Sequence, residues 1–345
     1  MLAHGWNATA YQLINPGIAH WFTAEGDGVV GYVRRSGVHV VAGAPVCPLE
    51  RLPAVTAAFE DAVHAAGDRI CYFGAEGRLE AHFHGDPTHA RVLLGGQPAW
   101  HPAGWREMVA RHASVRAQLN RARNKDVRVE EWSPSHAQGH PELERCLREW
   151  LATRGLPPLH FLVEPATLER LFDRRIFVAR RADTVVAFLV ASPVPQRNGW
   201  LIEQFVRGRG APNGTNDLLV DTAVRAMADA GADYVTLGLS PLSRHAGVPR
   251  AAEEPLWLRG LLVWVRAHGR RFYNFDGLDH FKAKFRPERW EPIYAIADQP
   301  RFEPRMLYAI AAAFTQQSPL IAVARGIGRA VGTEVHRGMD WLRDR

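Results

Sequence analysis

The sequence predicts an α/β chain of the mixed α+β kind, in which a mixed sheet flanked by helices is built twice in tandem. Three observations lead there. The chain has 345 residues, 47% of them hydrophobic, enough for two cores of ordinary domain size. Its apolar spacing switches repeatedly between the period of two that marks a strand and the period near 3.6 that marks a helix. The same succession of segments then returns after residue 126.

The first half, residues 1–126, opens on a hairpin from Val29 to Cys47: Val-Val-Gly-Tyr-Val, a turn at Arg34-Arg35-Ser36-Gly37, then Val-His-Val-Val-Ala. Pro53 to Ala66 has helical apolar spacing. Arg69 to Phe73 and Ala90 to Leu94 read as short strands, and Trp105 to Arg123 as one long helix. At Asn124 to Asp126 helix passes directly to strand with no proline- or glycine-rich linker, so the halves are expected to pack closely.

The second half, residues 127–300, begins with a strand at Val127 to Trp132 and helices at Leu143 to Thr153 and Pro165 to Phe172. Strands follow near Ile176 to Arg180, Val185 to Val190 and Trp200 to Arg207. A helix from Asn216 to Ala230, a strand from Tyr234 to Leu239, a helix near Trp257 to His268 and a last strand around Tyr294 complete it. This order matches the N-acetyltransferase (GNAT) fold, and the first half is a shorter version of the same plan.

Residues 301–345 read as a tail. Beyond Pro319, Val323, Ile327, Val331, Val335, Met339 and Leu342 recur at helical spacing, with Arg325, Arg329, His336, Arg337 and Arg343 in other sectors. A basic amphipathic helix of this kind suits an anionic membrane surface. No run of about 18 apolar residues occurs, and the N-terminus lacks a cationic segment followed by an apolar one. The expected location is therefore cytoplasmic and peripheral on the inner face of the membrane. A net charge of +6 favours a polyanionic partner, nucleic acid or lipid headgroup.

Lysine usage singles out one stretch. Of 42 basic residues only Lys125, Lys282 and Lys284 are lysine, and two of the three share a pentapeptide. In a chain that otherwise uses arginine, this pair marks a site that wants a compact ammonium. The stretch Tyr273-Asn-Phe-Asp-Gly-Leu-Asp-His-Phe-Lys-Ala-Lys-Phe-Arg-Pro287 reads as a short helix ended by its proline, with Leu278, Phe281 and Phe285 on one face. Lys282 then lies beside the buried face, where an ammonium can stabilise the oxyanion formed when an ester carbonyl is attacked. Lys284 points further outward and suits a phosphate.

Two loops adjoin it in the reading. Trp200 to Asp217 runs from a strand through Arg207-Gly-Arg-Gly-Ala-Pro-Asn-Gly to a helix start that Thr215 or Asn216 can cap, leaving free N–H groups for an anion. An acetyltransferase would seat the coenzyme pyrophosphate here, but Pro212 removes a donor from that cradle. Glu203 and Asp217 are acids placed to hold a substrate ammonium. Thr236-Leu-Gly-Leu-Ser-Pro-Leu-Ser-Arg244 ends a strand in a loop bearing Ser240, Ser243 and Arg244, a usual place for ligands in α/β folds. Arg111, Arg116, Arg121, Arg123 and Lys125 give one helix a basic face that could follow RNA phosphate. Cys47, Cys71 and Cys146 lack disulfide or zinc spacing and read as small buried hydrophobes; the 16 histidines show no metal-ligand spacing, with His82 and His84 expected on a loop.

Together these stretches resemble the catalytic domain of the phosphatidylglycerol lysyltransferase (multiple peptide resistance factor) family. Gly43-Ala-Pro-Val46 is similar to the family's Gly-Asp-Pro-Val turn, with Ala44 in place of the acid. Arg207 with Ala211-Pro-Asn-Gly-Thr-Asn-Asp217, Leu237-Gly-Leu-Ser-Pro-Leu-Ser243 and Phe275-Asp-Gly-Leu-Asp-His-Phe-Lys-Ala-Lys-Phe-Arg-Pro287 match in order. The Phe281-Lys282 pair also resembles the Fem-type peptidyl transferases.

The resemblance implies two tandem GNAT-like folds and transfer of an amino acid from aminoacyl-tRNA to a lipid hydroxyl such as that of phosphatidylglycerol. Lys282 and Asp217 would be catalytic. Glu203, Arg207, Asn213, Ser240, Ser243, Arg244, Asp276 and Lys284 would bind substrate, and Arg116, Arg121, Arg123 and Lys125 would bind tRNA. Direct ester exchange needs alignment and charge stabilisation, so aminoacyl-tRNA is expected as co-substrate with no cofactor or metal. Many members carry a flippase half ahead of this domain, and a stand-alone form is expected here. Two other readings stay open: an acyl-CoA-dependent GNAT N-acyltransferase, and a non-catalytic module that binds RNA or lipid.

Overall fold

The computed structural model describes residues 1–153, 159–247 and 275–315. After a 3₁₀ turn at Ala8–Ile14, strands β1 (Ala19–Phe22), β2 (Val29–Arg35) and β3 (Val38–Ala42) form an antiparallel meander. Ser36 and Gly37 both take positive φ between β2 and β3, the tight turn whose twist matches the flanking strands. Helix α1 (Leu52–Ala65) carries the chain over to β4 (Arg69–Ala75), parallel to β3. Helix α2 (Gly77–His82) and the long strand β5 (Ala90–Trp100) follow, then α3 (Trp105–Arg111) and α4 (Ala113–Arg123).

The plan then repeats. Asp126, in the left-handed region, turns the chain from α4 directly into β6 (Val127–Trp132). Helices α5 (Pro134–Ala137) and α6 (Pro141–Ala152) lead to a second meander, β7 (Arg175–Arg181), β8 (Thr184–Val194) and β9 (Gly199–Arg207). Helix α7 (Thr215–Asp229) crosses to β10 (Tyr234–Thr236), parallel to β9, as α1 crosses to β4. The short β11 (Ser240–Pro241), helix α8 (Phe275–Ala283), β12 (Arg289–Ala297) and α9 (Pro304–Thr315) complete the described chain.

All twelve strands join one sheet, ordered β1-β2-β3-β4-β12-β5-β10-β9-β8-β7-β6, with β11 attached to β5. The long strands at its centre are exchanged between the halves. β12, from the second half, pairs antiparallel with β4 of the first, while β5 of the first pairs antiparallel with β10 of the second. β5 and β12 then pair with each other along nine registered positions, Arg289 with Ala99 through Ala297 with Ala90. The sheet is therefore continuous across the junction, with one register shift in the β5 pairing between Ile293 and Tyr294.

Helices bury their apolar stripes on both faces. Leu218, Leu219, Val220 and Met227 of α7 meet Val115 and Leu119 of α4 and Phe177 and Leu189 of the second meander. Phe59 and Val63 of α1 cover one face of the first half, and Met306, Ala309 and Ile310 of α9 cover the other. The three cysteines are free and buried, as their spacing implied. Among the described residues no helix is long and apolar enough to cross a membrane.

Several expectations are corrected. The single helix expected from Trp105 to Arg123 breaks at His112, whose extended backbone lets Trp105 and Leu119 both reach the α7 core. Pro165 to Phe172 contains only a 3₁₀ turn at Thr167–Glu169. The strand expected over Ala90 to Leu94 continues through Gly-Gly-Gln-Pro to Trp100, because β12 supplies a full partner there. The strand expected to reach Leu239 stops at Thr236, where Gly238 turns with φ +71. His82 closes α2 instead of lying on a loop. The helix expected near residues 257–268 and the amphipathic tail beyond Pro319 lie outside the described residues.

Candidate active site

The loop after β10 is held from both sides. Thr236 Oγ1 donates to the Pro98 carbonyl at 2.7 Å and accepts from the Gly238 N–H at 3.0 Å. Ser240 and Pro241 pair with Gly96 and Gly95 of β5. Gly95 is required: its φ is +155, and a Cβ there would stand 2.2 Å from the Ser240 carbonyl oxygen. The loop thereby presents two consecutive carbonyls, Gly238 and Leu239, to helix α8.

Lys282 of α8 meets both. Its Nζ donates to the Gly238 and Leu239 oxygens, each at 2.8 Å, and the residue is only 3% exposed. Burial pushes its pKa down to about 7, with the Asp279 carboxylate pulling the other way. The ammonium form has three N–H donors, and among the described residues the two carbonyls take two of them. Asp279, one turn earlier, accepts from Ser240 Oγ at 2.8 Å and faces His245 Nε2 at 3.4 Å. His245 in turn stacks on Trp290, and its backbone N–H donates to Ser243 Oγ at 3.2 Å.

Lys284, two residues on, faces the start of α7. Its Nζ lies 2.5 Å from Asp217 Oδ1 and 4.0 Å from the centre of the Phe281 ring. Phe281 packs edge-on against Phe205 and Phe285, which line the same apolar patch. The helix cap differs from the expected one. Gly214, in the left-handed region, is the N-cap of α7, while Thr215 donates its hydroxyl to the Pro212 carbonyl. A Cβ on Gly214 would stand 2.3 Å from the Gln118 carbonyl, so the glycine also lets α4 pack against α7. Helix α8 and the turn that follows it thus bridge the loop after β10, through Lys282, and the first turn of α7, through Lys284.

The other expected site residues are placed as follows. Arg207 donates to the Ala211 carbonyl and to Asn213 Oδ1, bracing its own loop. Glu203 is saturated: Arg174 and Ser192 donate to Oε1, each at 2.6 Å, and Gln12 to Oε2 at 2.7 Å. Arg244 is exposed, and Asp276 is half-buried in the first turn of α8. Along the basic stretch all four residues are exposed; Arg116 donates to the Ala110 carbonyl, Arg123 to Asp221 at 3.4 Å, and Lys125 lies in the turn after the helix. The structure brings together Lys282 with Ser240 and Lys284 with Asp217.

The sequence reading missed two groups. Asp279 lies in the singled-out stretch, three residues before Lys282, and its spacing was a legible signal. The second group had none. Arg197, deep between the halves, pairs with Glu291 and Glu76 and covers the Tyr234 ring at 3.5 Å. Tyr234 donates to Glu291 at 3.0 Å, and Gln97 donates to the Tyr234 hydroxyl at 3.1 Å. Burial pushes the Glu76 carboxyl up to about 7 against the pull of Arg197. These residues come from five separate segments, and Gln97 is on the β5 stretch that leads to Gly95 and the Lys282 loop.

The family model described as "Phosphatidylglycerol lysyltransferase, C-terminal" matches residues 2–297. The phosphatidylglycerol lysyltransferase of Bacillus subtilis is 23% identical over 277 residues, covering 79% of this chain and 31% of that protein. The lysylphosphatidylglycerol biosynthesis bifunctional protein LysX of Mycolicibacterium vanbaalenii is 27% identical over 295 residues, covering 83% of this chain and 26% of that protein. The chain therefore spans about a third or less of the curated relatives it matches. The solved structure of L-PGS from Bacillus licheniformis superposes with a TM-score of 0.74 at 20% identity, covering 90% of this chain and 92% of that one, a likeness of fold.

Proposed function

The chain belongs to the phosphatidylglycerol lysyltransferase C-terminal family, and on that premise we propose that it moves an amino acid from aminoacyl-tRNA to the hydroxyl of phosphatidylglycerol or a similar lipid. The reaction is ester exchange. The lipid hydroxyl attacks the aminoacyl carbonyl, a tetrahedral oxyanion forms, and the bond to the tRNA ribose breaks. The proton lost by the lipid hydroxyl ends on the ribose hydroxyl that leaves. One ester replaces another, so orientation and charge stabilisation supply the acceleration, with aminoacyl-tRNA as co-substrate and no cofactor.

Lys282 carries the reading. A lysine buried to 3% exposure and held on two carbonyls is, in its ammonium form, a positive charge held in place in a site of low polarity. There a charge acts more strongly on a developing oxyanion than it would in water. Asp217 receives the α-ammonium of the aminoacyl group by exchanging it for the ammonium of Lys284. Lys284, so released, turns to phosphate with Arg207 and Arg244. Glu203 is already saturated by Arg174, Ser192 and Gln12, which leaves Asp217 for the ammonium. Arg121, exposed on α4, and Lys125, exposed in the turn after it, support contact with the tRNA backbone. A lipid acceptor together with an aminoacyl-tRNA donor supports a peripheral position at the inner surface of the membrane.

The test is lipid extraction and mass spectrometry from cells that lack aminoacyl-lipids, expressing the protein or its Lys282→Ala variant. The wild type should yield a new aminoacylated lipid that the variant lacks. Equal amounts from both would remove Lys282 from the chemistry, and no new lipid from the wild type would overturn the transferase reading.

A further inference from the structure

Two side chains on one face of α8 hold three consecutive residues of the loop after β10. Lys282 donates to the Gly238 and Leu239 carbonyls, and Ser240 Oγ donates to Asp279 Oδ1 at 2.8 Å. Residues three apart on a helix are neighbours on its surface, so the carboxylate and the ammonium stand side by side over that loop. Asp279 also reaches further. Its Oδ2 lies 3.4 Å from His245 Nε2, and the His245 ring stacks on Trp290 of β12 with centroids 4.8 Å apart.

The two carbonyls do not by themselves settle the charge of Lys282. A neutral amine has two N–H donors and could serve both oxygens without the extra proton. At 3% exposure, burial favours that neutral form, and the charge that opposes it is the Asp279 carboxylate. The Asp279 side chain is only 17% exposed, so water and salt screen its charge poorly. The other titratable or charged groups on α8 or facing it are Asp276 and His280 of the helix, Lys284 with its partner Asp217, and Arg244 and His245 of the loop.

We propose that Asp279 is a positioning residue with two tasks: through Ser240 and His245 it fixes the loop that receives Lys282, and through its charge it keeps the Lys282 side chain in the ammonium form. An oxyanion at the aminoacyl carbonyl then meets a cation at neutral pH. Asp279 itself acts only through Lys282. Its part in catalysis rests on the transferase reading; its control of Lys282 does not.

The test uses the scarcity of lysine. The chain has three, so protein labelled with carbon-13 at lysine Cε gives three signals, and the one missing from Lys282→Met belongs to Lys282. Its chemical shift followed against pH gives the midpoint of titration with no substrate present. Asp279→Asn keeps the shape and the acceptor for Ser240 but removes the charge, and the midpoint should fall by about one pH unit. Asp279→Glu, which keeps the charge, should restore the midpoint, and Ser240→Ala, which breaks only the hydrogen bond, should leave it at the wild-type value. In the transferase assay, the loss of turnover with rising pH should begin correspondingly earlier in Asp279→Asn, whereas Ser240→Ala should lower turnover without moving the profile. An unmoved midpoint in Asp279→Asn, or an equal shift in Ser240→Ala, would overturn the proposal, and Asp279→Ser decides the matter should the asparagine variant fail to fold. A midpoint that moves while the turnover profile stays would remove Asp279 from catalysis. A midpoint that moves in a protein that makes no aminoacyl-lipid would uphold the control of Lys282 and refute the transferase reading alone.

Discussion

Lys282 costs the fold something, and the cost has a pH signature. Its pKa falls from the usual 10.5 to about 7 on folding because burial disfavours the charged form. Between those values the unfolded chain binds the proton and the folded chain does not. Stability therefore rises with pH from about 7 to about 10.5, at about 1.4 kcal/mol per pH unit at most, and the penalty is fully present below 7. Urea melts at intervals from pH 7 to 10 should show this slope in the wild type relative to Lys282→Met, which lacks the group. Parallel curves for the two proteins would contradict a buried, titrating lysine. The proposed chemistry needs the opposite protonation state. If the ammonium stabilises the oxyanion, turnover should fall as pH rises through about 7, whereas a rise there would assign Lys282 as a base.

At the scale of elements, α8 works only as well as the loop that receives it. The Gly238 and Leu239 carbonyls are aimed by β11, and β11 is aimed by its pairing with Gly95 and Gly96. Gly95→Ala should therefore do two things at once. The methyl would meet the Ser240 carbonyl at 2.2 Å, with a backbone angle that side chains rarely adopt, for a cost of roughly 2 kcal/mol or more. It should also displace the acceptors of Lys282 and lower turnover by at least tenfold, although Gly95 touches no substrate. A thermal melt and a transferase assay on the same preparation check both, and an unchanged rate would detach the loop from catalysis. By contrast, the same substitution at Gly26 meets nothing within 4 Å and reports only the cost of its positive φ.

The whole molecule is fastened by its exchanged strands. β12 lies between β4 and β5, and β5 lies between β12 and β10, so each half contains a strand contributed by the other. A chain cut after residue 126 would leave the first piece without β12 and the second without β5, each exposing a long central edge. Calorimetry of the intact chain is expected to show one cooperative transition, and each piece alone none. Two independent transitions in the intact chain would show that the halves fold separately. The exchange also explains why the Arg197 cluster can be buried: Glu76, Arg197 and Glu291 meet where the strands interleave, and removing one partner there leaves an unpaired charge at a cost of about 3–5 kcal/mol.

What the sequence by itself determined is local or periodic. The hairpin at Val29–Ala42, α1, α6, α7, the second meander and the short helix at Phe275–Ala283 follow from apolar spacing and turn residues, which act over a few positions, whereas β1 at Ala19–Phe22 carried no signal that was read. The scarcity of lysine drew attention to Lys282, and its i, i+4 relation to Leu278 placed it beside a buried face. Only the tertiary structure decided what had to be assembled from far apart. Gly-Gly-Gln-Pro in β5 has no strand signal and becomes strand because β12 supplies its hydrogen bonds. Asp217 and Lys284, 67 positions apart, form an ion pair, and Arg197 finds its acids on β12 and at the end of β4. Spacing reports which side of its own element a residue occupies, but which elements meet depends on strand exchange and backbone closure across the sheet, and no local pattern encodes that.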